Sequence, residues 1–151
     1  MSAKKIFEEL QVWQDARILF RNINSLIFQD SKLSEHKALI YQIQRSSGSI
    51  MDNIAEGFDK GGNKEFIQFL SIAKGSAAET RSQLYRILDL KLFSETDVNK
   101  LIDDASNISK QLNGFIQYLK NSEFKGPKYN QVREEFDLEE QYRISNKELE
   151  K

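Results

Sequence analysis

A run of polar side chains sits beside a stripe built for burial. In the segment Arg45-Ser-Ser-Gly-Ser-Ile-Met-Asp-Asn-Ile-Ala-Glu-Gly57, residues Arg45, Ser49, Asn53 and Glu56 follow one another at steps of four, four and three. That spacing places them on one face of an α-helix, next to apolar Ile50 and Ile54. Polar groups in such a position either satisfy one another in a buried network or belong to an interface. Downstream, Glu65, Gln68, Ser76 and Glu79 offer partners for them. A carboxylate pair doing acid–base chemistry would need an activated nucleophile or a metal at hand, and the segment supplies neither.

The rest of the inventory argues against catalysis. The chain has no cysteine and a single histidine, His36, so thiolate chemistry and Cys-based zinc sites are excluded. A di-metal carboxylate bundle needs two Glu-x-x-His motifs, and one histidine cannot provide them. At the start of a helix, His36 reads as a surface or capping residue. No phosphate-binding G-x-x-x-x-G-K-[ST] or dinucleotide-binding G-x-G-x-x-G motif occurs. The turn Asp59-Lys-Gly-Gly-Asn-Lys64 has amides that could face a phosphate, and it reads more simply as a connector between helices. The expectation is a protein without catalytic, cofactor-binding or metal-ligating residues. With 22 Lys+Arg against 23 Asp+Glu and a formal net charge of −1, a strongly basic nucleic-acid binder is excluded, but a local basic face is not. The candidates for such a face are Arg17 and Arg21, and Lys60, Lys64 and Lys74 around the central hairpin.

The elements that must carry these residues are helices. One proline in 151 residues is what long helices require, because proline breaks a helix interior. Four apolar stripes with alternating spacings of four and three are present. They run Val12, Ala16, Leu19, Ile23, Leu26; then Ile40, Ile43, Ser47, Ile50, Ile54; then Phe66, Leu70, Ala73, Ala77, Leu84, Ile87; then Val98, Leu101, Ala105, Ile108, Leu112, Phe115, Leu119. Ser34, Asn63 and Ser94 read as N-caps, the last with Asp97 three residues on, and Gly61-Gly62 as a helix stop. Short connections between long helices force antiparallel neighbours. The reading is all-α: an antiparallel up-down-up-down four-helix bundle over residues 1–121, followed by a charged C-terminal appendage over 122–151, a disordered tail, a loosely docked helix or a partner-binding segment. The bundle holds 16 basic and 15 acidic side chains and the appendage six and eight.

If the second and third helices fold about Gly61-Gly62, residues whose numbers sum to about 123 lie at one height. Gly48 is then level with Gly75 and Ser47 with Ser76, so two small-residue patches face one another. They serve close packing, or leave a groove for a ligand or a neighbouring subunit. Arg45 comes near Glu79, and an interhelical ion pair is expected there.

Three segments together, Phe7-Glu-Glu-Leu-Gln-Val-Trp-Gln-Asp-Ala16, Gln44 to Gly57, and Glu65-Phe-Ile-Gln-Phe-Leu-Ser-Ile-Ala-Lys-Gly-Ser-Ala-Ala-Glu79, resemble the bacterial four-helix bundle family known as the 23S rRNA-intervening-sequence proteins. The resemblance spans about residues 6–120 and implies a small up-down bundle assembling as a ring-like homopentamer. It extends to the accessory variability protein of diversity-generating retroelements, which binds a reverse transcriptase and nucleic acid through a basic pentamer surface. The family motif falls here on Arg45, Asn53, Glu56, Gly57, Glu65, Gly75, Ser76 and Glu79, read first as fold and assembly residues. The functional expectation is a non-enzymatic homo-oligomer that binds RNA or an RNA-handling protein; the alternative is a protein–protein adaptor or scaffold without nucleic acid. No apolar run reaches the length of a membrane span, and the charged N-terminus is unlike a signal peptide, so a cytoplasmic protein with no membrane partner is expected.

Overall fold

The four apolar stripes become four helices. The computed structural model describes residues 6–29 and 33–121, together with Lys147 and Leu149. A 3-10 turn at Phe7–Glu9 leads into α1 (Gln11–Phe28), followed by α2 (Lys37–Lys60), α3 (Asn63–Leu90) and α4 (Glu95–Lys120). Successive helices pack side by side, and α1 closes the up-down bundle against α4. Most stripe residues are buried, among them Val12, Leu19, Ile43, Ile54, Leu70, Leu84, Ile108 and Leu112; Ile40 is only partly so. The helices hold 18, 24, 28 and 26 residues, about 27 to 42 Å at 1.5 Å per residue. Among the described residues, no helix is long and apolar enough to cross a membrane. Apart from Lys147 and Leu149, the expected appendage lies outside the described residues.

The α2–α3 and α3–α4 seams are more extensive than either seam made by α1. Gly57 is the reason α2 and α3 come so close near their hairpin. A Cβ on Gly57 would stand 2.5 Å from Phe69 Cβ and 3.1 Å from Phe66 Cδ2. At the same end Phe66 meets Phe58 of α2 and Phe115 of α4 edge-on, with centroids 5.8 and 5.2 Å apart. Such T-shaped pairs add to the area they bury.

The helix ends depart from the sequence reading in part. Gly61 ends α2 in the left-handed region at φ 93°, as a glycine stop should. Ser94 Oγ accepts from Asp97 N at 3.4 Å as the N-cap of α4. For α2, however, the N-cap is His36, not Ser34, and its ring makes no capping bond. For α3 the N-cap is Gly62, and Asn63 turns instead to α4, its Nδ2 donating to Leu119 O at 3.1 Å. That bond ties the start of α3 to the end of α4 and leaves the buried Asn63 Oδ1 without a partner.

The expected facing of Gly48 and Gly75 is also corrected. A Cβ on Gly48 would meet the Phe20 ring of α1 at 3.6 Å, and one on Gly75 would meet nothing within 4 Å. No ion pair joins Arg45 to Glu79 among the described residues; both are exposed. The hydrogen-bonded register instead pairs Ser49 with Ser76 and Ser46 with Thr80, so paired numbers sum to 125 and 126. Side chains lean toward the N-terminus of their own helix. In an antiparallel hairpin that lean offsets facing tips, and contact pairs shift two or three residues from the sum set by the turn.

Candidate interaction surface

Between α2 and α3 the serine-rich segment becomes a polar ladder. Ser46 Oγ donates to Gln83 Oε1 at 2.6 Å and accepts from Thr80 Oγ1 at 2.9 Å. The Thr80 hydroxyl shares its single proton with Ser76 O, 2.8 Å away. Further toward the hairpin, Ser49 Oγ and Ser76 Oγ lie 2.9 Å apart. Asn53 Nδ2 donates to Ser49 Oγ and to Ser49 O, each at 2.8 Å. Ser46, Ser76 and Thr80 are buried, and every hydroxyl among them has a partner. The ladder is therefore a satisfied network of the kind that fixes one register between two helices. It presents no unpaired nucleophile, and among the described residues no three His, Asp or Glu side chains gather as a metal-binding group.

The motif residues thus divide in two. Asn53, Gly57 and Ser76 are at least partly buried, with Asn53 and Ser76 in the ladder. Arg45, Glu56, Glu65, Gly75 and Glu79 are exposed. Of these, Glu65 folds back over the N-cap of α3, so close that a Cβ on Gly62 would overlap its carboxylate. A carboxylate there complements the positive end of the helix. The turn is a connector. Thr80 and Gln83 were not picked out from the sequence. The signal was a gap of seven residues in the third stripe between Ala77 and Leu84, which Thr80 fills as a buried polar residue.

Of the basic candidates, Lys60 closes α2 and Lys64 opens α3, so both stand exposed on either side of the Gly61-Gly62 turn. Lys74 does not join them. It lies ten residues beyond Lys64, about 15 Å along the helix, and its ammonium donates to Asn113 Oδ1 of α4 at 3.0 Å. Arg17 and Arg21 are exposed one turn apart on α1. The Arg17 guanidinium lies 5.7 Å from the centroid of the Trp13 ring, within range of a cation–π contact.

The family described as 23S rRNA-intervening sequence protein matches over residues 8–114, a span that contains every motif residue named above. No curated protein matches the chain.

Proposed function

The chain belongs to the 23S rRNA-intervening sequence protein family, for which no catalytic activity is known, and from that premise we propose that it is a non-enzymatic, self-assembling binding protein whose target is RNA or an RNA-handling protein. The observation that carries the reading is the outer half of the motif. Gly75 sits mid-helix with open space around it, although glycine there costs about 1 kcal/mol relative to alanine. Arg45, Glu56 and Glu79 are exposed as well. Among the described residues no contact accounts for Gly75 or pairs Arg45 with Glu79, and the close approach of a second copy would give them a role. A ring, pentameric as the family resemblance implies, then repeats each basic cluster by symmetry. That repetition lets Lys60 and Lys64, or Arg17 and Arg21, act several times over on one polyanion.

Two measurements test this. Sedimentation velocity should give a mass several times the 17.6 kDa protomer. Fluorescence anisotropy with a structured RNA, and with a matched DNA duplex, should show affinity falling steeply as salt rises. A protomer-sized species would overturn the assembly. An assembled ring with flat or absent RNA binding at low salt would overturn the RNA reading and leave a protein–protein adaptor.

A further inference from the structure

Where α1 meets α4, the surface opens into a groove of about 300 Å³ walled by Ile18, Leu19 and Ile108. Ile18 is exposed there although it is large and apolar. At the side of the groove, Gln111 is 5% exposed, and its Nε2 donates to Asp15 Oδ2 at 2.9 Å. That bond fixes which way the amide faces, because a carboxylate can only accept. Gln111 Oε1 is consequently a sealed acceptor with no hydrogen-bond partner, which is an unfavourable state for a carbonyl. The groove is thus mixed, apolar at Ile18, Leu19 and Ile108 and polar at Asp15, Asn22, Asn107 and Gln111, and it holds one acceptor without a donor.

One further residue lines it. Leu149 belongs to none of the four helices, yet it comes to the groove and is partly buried there. The sequence around it is Lys147-Glu-Leu-Glu-Lys151, one apolar residue flanked by both charges. The rim of the groove carries both charges as well, with Asp15, and Asp104 paired to Lys100 at 3.3 Å. Leu149 shares this lining with Ile18, Leu19 and Ile108. We propose that the α1–α4 groove is a docking site for the chain's own C-terminal end, held in cis by Leu149. This inference does not depend on the reading as an RNA-linked assembly.

Isoleucine-methyl NMR on the full chain tests it. In Leu149→Ser, the Ile18 and Ile108 methyl resonances should shift while Ile54 and Ile87, buried in α2 and α3, stay in place. Leu149→Met keeps an apolar anchor and should leave all four near their wild-type positions. Unmoved Ile18 and Ile108 in Leu149→Ser would overturn the docking, and equal shifts in the Met variant would overturn the role of an apolar anchor. Co-refolding labelled Leu149→Ser with excess unlabelled wild type separates cis from trans. Resonances that stay shifted support docking in cis; their return to wild-type positions would mean the end of a neighbouring chain fills the groove and would overturn it.

Discussion

Three glycines lie within the α2–α3 hairpin helices, and the structure assigns them different consequences for the same substitution. Gly57→Ala puts a methyl 2.5 Å from Phe69 Cβ, a separation that carbon atoms do not tolerate. The obstructing atom is the first of its side chain, so no rotamer change clears it and the helices must part. Overpacking of this kind costs about 1–3 kcal/mol, against which alanine returns up to about 1 kcal/mol of helix propensity. With the full return the net expectation is a loss of up to about 2 kcal/mol. For a chain of this size that lowers the melting temperature by up to roughly 8 °C. Gly48→Ala is the internal control. Its new methyl would meet the Phe20 ring at 3.6 Å, an ordinary contact, so the propensity gain of about 1 kcal/mol stands. The assay is thermal and urea unfolding followed by circular dichroism, at one protomer concentration because assembly makes stability concentration-dependent. Opposite signs are required. If Gly57→Ala proved as stabilising as Gly48→Ala, the claim that Gly57 sets the distance between α2 and α3 would be refuted.

Other outcomes follow from the same geometry. Ser46→Ala removes the link from α2 to Gln83 and Thr80, while Thr80 keeps Ser76 O; a loss of about 1 kcal/mol is expected, read as a lower urea midpoint at unchanged slope. Gly75→Arg enters open space, so the protomer should unfold within about 1 kcal/mol of wild type while sedimentation velocity shows the assembly dispersed; an unchanged mass would remove this face of α3 from the interface. The double variant Lys60→Glu with Lys64→Glu should weaken RNA binding with the oligomer intact, and unchanged affinity would exclude the hairpin end.

The architecture was legible because stripe and burial obey one rule: an apolar residue at every third or fourth position has to face inward on a helix. Val98 through Leu119 on α4 shows this without exception. The turns were less legible. Asn63 has the chemistry of an N-cap, but Leu119 O lies across the bundle, and a tertiary partner took precedence over a local one. Register was off by two or three residues because chain numbers locate backbones, whereas contact is made by tips that lean. The motif was legible as a set and not as a division. Nothing in one sequence separates Gly57, pressed against Phe69, from Gly75, which touches nothing. Gln111 was missed for a similar reason. It stands beside Leu112 within the fourth stripe, and only its bond to Asp15 reveals a polar residue in a mainly apolar seam.

If the protomers assemble and bind RNA as proposed, the salt dependence of binding measures the assembly. Residues 1–121 carry 16 basic and 15 acidic side chains, so no broad positive field draws a polyanion to one protomer. One hairpin end offers two exposed cations, Lys60 and Lys64, with Lys74 already engaged by Asn113. Each neutralised phosphate contributes about −0.9 to the slope of log affinity against log salt on a duplex. A single hairpin end therefore yields a slope no steeper than about −2. A ring that lays one RNA across two neighbouring ends doubles this to about −4. Arg17 and Arg21 set the same limits on α1. The slope should relax from the steeper to the shallower value in Gly75→Arg if that variant disperses the ring, with the lysines themselves untouched. A slope that stayed steep in a dispersed protomer would mean that symmetry is not the source of the affinity, and that the protomer holds a basic surface its charge balance does not provide.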